Sequence, residues 1–185
     1  MQPIVLLSVL ALNASGGQVT GHVTNSAGKP MRDACVIFVG DETARPLKGA
    51  MVDQRTISFI PHVKIVTAGT AVSFPNNDVV FHNVFAEYQA KRFDLGLYPR
   101  GQKKVVTFNK PGIVSLLCSI HPTMSAYIYV TESPYYAVTD AKGNYKISGI
   151  PSGSYRVEVW HETGKVQTFD VRVTGDGQKD FVYRK

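Results

Sequence analysis

Between two runs of strand character, 113–117 and 126–130, the chain turns back through Cys118-Ser119-Ile120-His121-Pro122-Thr123-Met124. This return is short. It also sets a thiol, an imidazole and a thioether on one loop, and all three are metal-ligand types.

The rest of the chain is written in the same strand-and-turn idiom. Residues 19–23 and 34–39 read as strands about a Gly28-Lys29-Pro30 turn, and 40–51, broken by Pro46 and Gly49, as a connector or irregular edge. Segment 56–74 reads as two strands around Thr67-Ala68-Gly69-Thr70, and 81–85 as a strand carrying His82. Runs 105–108 and 113–117 are expected to pair antiparallel through Asn109-Lys110-Pro111-Gly112. Composition shifts at Ser133-Pro134, after which Asp140-Ala141-Lys142-Gly143 and Pro151-Ser152-Gly153 punctuate further alternating runs. No stretch sustains a helical period, so the expected class is all-β.

A chain of 185 residues holds one sizeable core or two small ones. Lys and Arg exceed Asp and Glu by 20 − 14 = 6, a basic balance that favours an acidic partner or membrane face. Without a basic run interleaved with stacking aromatics on a nucleic-acid fold, a nucleic-acid partner is not expected. Segment 91–110 holds Lys91, Arg92, Arg100, Lys103, Lys104 and Lys110 against the single acid Asp94. It reads as the solvated face of a long loop and hairpin, with a docking patch as the alternative. Residues 4–14 match a signal-peptide apolar region and run into the small residues Ala14-Ser15-Gly16-Gly17. A signal peptide over 1–16 and an exported, periplasmic bacterial protein are expected, the alternative being a first core strand. The run is too short for a membrane span, which takes roughly 20 apolar residues, and no later segment supplies one.

Soft sulfur together with imidazole favours copper, and two His, one Cys and a weak, distant Met make the electron-transfer copper set. The loop provides one His. The second comes from Phe81-His82-Asn83-Val84-Phe85, just after the turn Pro75-Asn76-Asn77-Asp78. Zinc suits the set less well, because structural zinc takes Cys and His in a closed tetrahedron and a thioether serves it poorly. Enzyme chemistry is not expected: the chain has no His-x-His pair for a trinuclear copper cluster, and a filled four-ligand site lacks the open position a hydrolase needs.

Phe74-Pro75-Asn76-Asn77, His82-Asn83-Val84-Phe85 and Lys110-Pro111-Gly112 leading into Cys118 resemble the cupredoxin family of plastocyanin, and the Cys-x2-His-x2-Met loop is similar to that of amicyanin. Asp53-Gln54-Arg55, Phe59-Ile60-Pro61-His62-Val63, Lys91-Arg92-Phe93 and Val159-Trp160-His161 resemble exported bacterial cupredoxins labelled methylamine utilization proteins. The opening strands and the region after Ser133 are similar to a carboxypeptidase regulatory-like, transthyretin-like module. These resemblances imply a Greek-key cupredoxin β-sandwich or barrel over 46–132, inserted in a small prealbumin-like sandwich built from 17–45 and 133–185. They imply one type 1 copper ion with His82, Cys118 and His121 equatorial and Met124 axial. Asn83 would tie its strand to the copper loop through Ser119, and Phe81 and Pro122 would belong to a docking surface for redox partner proteins.

Plainer readings stand beside these. Cys35 and Cys118, the chain's two cysteines, invite a disulfide in an exported protein, although Cys35 sits in an apolar strand where a thiol acts as a small core residue. His22, His62 and His161 are read as structural or exposed. Three functions follow: a blue-copper electron carrier, a copper carrier or buffer, and a metal-free β-sandwich interaction module.

Overall fold

In the computed structural model, residues 16–88 and 91–185 are described, with the side chains of 87 and 88 set aside. The expected signal peptide lies outside the described residues, Gly16 excepted. Every regular element among them is a strand.

Burial along each strand shows what it packs against. In β1 (Gly17–Asn25) Val19, Gly21 and Val23 turn inward and their neighbours outward, the alternation of a strand with one wet face. In β2 (Cys35–Val39) Cys35 through Phe38 are all buried. Both of its faces are covered: Val36 and Phe38 enter one apolar cluster and Cys35 and Ile37 another. That is why the segment reads as an unbroken apolar run.

Ten strands follow before the chain returns to β2. They are β3 (Ala50–Met51), β4 (Asp53–Arg55), β5 (Ser58–Ile60), β6 (Val63–Thr67), β7 (Thr70–Pro75), β8 (Phe85–Tyr88), β9 (Lys91–Asp94), β10 (Lys103–Phe108), β11 (Gly112–Leu117) and β12 (Ser125–Thr131). A five-stranded sheet in the order β6-β12-β11-β8-β9 and a three-stranded sheet in the order β10-β7-β3 enclose a common core, while β4 and β5 form a separate hairpin. Phe74 and Phe108 enter this core from the smaller sheet and Val114, Leu116 and Ile128 from the larger.

Two sequence expectations are corrected here. Runs 105–108 and 113–117 do not pair: β10 bonds to β7, whereas β11 bonds to β12 and β8. Both strands point alternate side chains at the same core, so the turn between them must cross from one sheet to the other, and alternation alone cannot distinguish that arch from a hairpin. His82 also lies ahead of its strand. β8 begins at Phe85, and His82 makes only an isolated bridge to Tyr98.

The chain then gives β13 (Tyr136–Val138), β14 (Asn144–Ile150), β15 (Gly153–Trp160), β16 (Gln167–Val173), β17 (Gly177–Gln178) and β18 (Phe181–Tyr183). One sheet is ordered β13-β2-β15-β16. In the other, β1 pairs with β14, β17 and β18. Strands from both ends of the chain therefore share both sheets, around Val23, Phe38, Tyr145, Val157 and Phe181. Gly21 permits the closest approach: a Cβ there would lie 1.9 Å from the carbonyl oxygen of Lys179.

A third apolar cluster, including Ile37, Val63, Ile65, Tyr129 and Trp160, joins the terminal strands to the five-stranded sheet. Trp160 meets Tyr127 edge-on at 5.3 Å between ring centroids, and the Tyr129 hydroxyl donates to Glu158 at 2.7 Å. His62 bridges the same junction, its ring between the Ser125 carbonyl (3.1 Å) and the Glu162 carboxylate (3.0 Å).

Candidate metal centre

Leu117 pairs with Ser125 where β11 gives way to β12, so residues 118–124 form a loop closing that end of the sheet. Within it the Met124 amide donates to the His121 carbonyl at 2.9 Å, a turn that brings Met124 back inward. Cys118 and Met124, 4% and 1% exposed, both belong to the sandwich core. The loop thus sinks its two sulfur residues and leaves His121 half-buried at the surface.

His82 arrives from the other side. Its amide donates to the Tyr98 carbonyl at 3.2 Å and its carbonyl accepts from the Tyr98 amide at 2.9 Å, which fixes the backbone of a fully buried imidazole. His82 Nδ1 lies 3.0 Å from His121 Nδ1 and 4.0 Å from Cys118 Sγ, and His121 Nδ1 lies 3.7 Å from that sulfur. Among the described residues, these three form the one His, Cys and carboxylate group compact enough to hold a metal ion. The centre of a triangle with those sides is about 2.1 Å from each corner, matching first-row metal bonds of ~2.0 Å to nitrogen and ~2.3 Å to sulfur. The donors are therefore spaced for an ion, and thiol with imidazole is the softness copper favours.

The ring orientation has a cause that sequence reasoning missed. Asp78, four residues before His82, accepts from His82 Nε2 at 2.9 Å and from the Ile57 amide at 2.7 Å on one carboxylate oxygen, and from the Val79 amide at 2.7 Å on the other. The Ile57 amide first, and then His82, hold its carboxyl down at about 2, so it is a carboxylate across the neutral range. Its own amide donates to the Asn76 side-chain oxygen at 2.9 Å, and Asn76 Nδ2 donates to the carbonyls of Val80 (2.9 Å) and Tyr98 (3.0 Å). The Asn-Asn-Asp run was legible as a turn. Its carboxylate was legible as a ligand support only through the four-residue spacing to His82.

Asn83 spans from the His82 segment to the loop. Its side-chain oxygen accepts from the Ser119 amide at 2.7 Å and its Nδ2 donates to Asp94 at 3.0 Å. Beneath the site the Tyr98 hydroxyl donates to the Phe74 carbonyl at 3.0 Å, and burial is the main cause that pushes that phenol up to about 12. Lys104 sits over the Tyr98 ring, its Nζ 5.3 Å from the ring centre, and donates to the Leu95 carbonyl. This member of the basic segment is thus not simply solvated, and the segment holds β9, a loop and the whole of β10, with β9 paired to β8 and β10 to β7 rather than to each other.

Apolar side chains crowd the neighbouring surface. Val79 and Phe81, just before His82, are 79% and 54% exposed; Leu97 precedes Tyr98, and Ile120 and Pro122 flank His121, all exposed. The remaining histidines stand apart: His22 lies against Asp180, His161 against Thr163, and His62 in the junction. Cys35 and Cys118 form no disulfide, since they sit in different clusters, and burial pushes the Cys35 thiol well above its ordinary range.

No family model matches this chain, and no curated protein matches it. Among solved structures, a purple cupredoxin from Nitrosopumilus maritimus is 21% identical, over 44% of this chain and 99% of its own, with a TM-score of 0.41. Amicyanin from Paracoccus versutus is 20% identical over 54% of this chain and 99% of its own, also at 0.41. A copper-containing nitrite reductase from Thermus scotoductus is 31% identical over 51% of this chain, with a TM-score of 0.44, and this chain spans 24% of that enzyme. These neighbours are cupredoxins or carry copper by name, at low identity and over about half of the chain.

Proposed function

We propose that the protein is an electron carrier holding one type 1 copper ion, and that no substrate is transformed at the site. The carrying observation is the convergence of Cys118 Sγ with the Nδ1 atoms of His82 and His121 at 3.0–4.0 Å in a mostly buried setting. His82, Cys118 and His121 would hold the ion, with Met124 the fourth, weaker donor. Copper supplies one-electron cycling between its two common oxidation states.

The chain's own residues supply the rest. Cys118 gives up its thiol proton when the cation binds, since a coordinating thiol is deprotonated outright. Phe74, Leu116 and Ile128 keep the core side dry, which limits solvent access and so sets the potential. Half-buried His121 is the outlet for the electron, and exposed Phe81 and Pro122 are the surface where a redox partner protein would seat. We read the terminal strands as a transthyretin-like module and the protein as exported to the periplasm. No helix among the described residues is long and apolar enough to cross a membrane.

Voltammetry of the copper-loaded protein, with a chelator competition run alongside, tests the reading. A reversible one-electron wave, with copper retained against the chelator in both oxidation states, is expected. Rapid surrender of Cu(I) to the chelator without a reversible wave would point to copper delivery instead.

A further inference from the structure

We propose that Asp78 is a positioning residue of this centre, fixing which nitrogen of His82 faces the other donors and lowering the reduction potential of a copper ion held there. The inference rests on the copper reading only in its second half. The first half concerns the protein's own imidazole.

A neutral imidazole carries one N–H and one lone pair, and a hydrogen bond at one nitrogen decides which is which. The Asp78 carboxylate is an acceptor only, so His82 Nε2 at 2.9 Å must be the donor. The lone pair is thereby assigned to Nδ1, the atom that faces His121 and Cys118. Asp78 is itself immobilised by three amide contacts, two through its carboxylate from Ile57 and Val79 and one from its own amide to Asn76. The carboxylate has no freedom to follow the ring, so the ring follows the carboxylate.

The hairpin that presents the Ile57 amide carries independent evidence of this constraint. Its turn residues Thr56 and Ile57 both lie in the left-handed region, at φ of 49° and 53°. Two-residue hairpin turns of that kind favour Asn and Gly, and a β-branched residue there is an outlier. Strain of this sort persists where surrounding structure over-determines it and gathers at functional sites. Here the Ile57 amide of the strained turn points at the carboxylate that holds His82.

An anionic acceptor on a ligand imidazole makes its other nitrogen a stronger donor, which favours Cu(II) over Cu(I). Groups that hydrogen-bond a metal-ligating imidazole in this way typically carry 10–100-fold in metal affinity. A tenfold loss falling on Cu(II) alone would raise the potential by about 59 mV.

Two variants test the proposal. In metal-free protein at about pH 8.5, above the ordinary histidine range, nitrogen-correlated NMR of the imidazoles should show His82 as one tautomer protonated at Nε2. Asp78→Ala should turn that signal into a mixture, with the signals of the terminal strands unchanged as the check on folding. Asp78→Asn keeps the shape without the charge, so the copper-loaded form should have a potential at least 59 mV higher, the shift for tenfold. A single unchanged tautomer in Asp78→Ala, or an unchanged potential in Asp78→Asn, would overturn the corresponding half of the proposal. Should Asp78→Ala fail to fold, the tautomer is read in Asp78→Asn, where a broadened or more rapidly exchanging Nε2 proton supports the proposal and an unchanged one refutes it. Wild-type protein that takes up no copper would defeat the electron-carrier reading, while the tautomer comparison would still decide the role of Asp78.

Discussion

Replacing Asn83 by Ala removes a side chain that holds three parts of the candidate site together. Asn83 is buried; its oxygen accepts from the Ser119 amide at 2.7 Å and its nitrogen donates to Asp94 at 3.0 Å. A neutral hydrogen bond contributes a net of about 1 kcal/mol, one to a charged group about 1.5–3, and an orphaned buried donor costs about 1–3. Losing both bonds should therefore destabilise the fold by about 2.5–4 kcal/mol; Ser119 is exposed, so water can satisfy its amide and no orphaned-donor cost is added. For a domain of 150–250 residues each kcal/mol moves the midpoint by roughly 2–4 °C, so a fall on the order of 10 °C is expected in a thermal melt. Asn83→Asp separates the two contacts, because it keeps the acceptor for Ser119 and sets a carboxylate against Asp94; it should fall between wild type and Asn83→Ala at neutral pH and recover as the pH is lowered. A midpoint for Asn83→Ala within about 2 °C of wild type, under 1 kcal/mol by the same conversion, would refute the claim that this side chain fastens the loop.

Three further outcomes are expected. Thr56→Asn combined with Ile57→Gly places residues suited to positive φ in the β4–β5 turn; left-handed strain costs roughly 1–2 kcal/mol per residue, so after the entropy cost of glycine a gain of about 1 kcal/mol should appear in urea unfolding. The Asp78 carboxyl is depressed on folding to about 2, from an ordinary 3.8; its stabilisation is therefore full above the unfolded value and is lost as pH falls through the folded one. Asp78→Asn should accordingly flatten the decline of stability between those two pH values, measured by denaturant titration. Trp160→Ala takes a buried ring from the junction and should cost about 3–5 kcal/mol. Calorimetry should show one transition for the wild type and two for that variant, as the terminal strands uncouple from the five-stranded sheet.

Local chemistry makes the loop readable from its residues alone. Two strand signals around a seven-residue return leave Cys118, His121 and Met124 at one sheet end, and β11 and β12 pair on either side of it. The buried run of β2 likewise announces a strand covered on both faces. What alternation could not supply was the pairing partner: Val106 and Phe108 of β10 face the same core as Val114 and Leu116 of β11, so two strands of opposite sheets look like one hairpin. Asp78 is hidden for another reason. A carboxylate within Pro75-Asn76-Asn77-Asp78 is ordinary turn chemistry, and only the fold brings the Ile57 amide, distant in sequence, onto the same oxygen as His82. The role of His62 is hidden similarly, since its partners Ser125 and Glu162 lie far along the chain.

In the proposed centre Cys118, His82 and His121 bind one copper ion through a thiolate bond. The direct measurement is the visible absorption and electron paramagnetic resonance of the purified protein as one equivalent of Cu(II) is added, with Cys118→Ser in parallel. The titration should give an intense red-region band that saturates at one equivalent, a narrow copper hyperfine splitting, and loss of the band in Cys118→Ser with the β fold intact. A protein that stays colourless with copper present, or a band that survives Cys118→Ser, would contradict it.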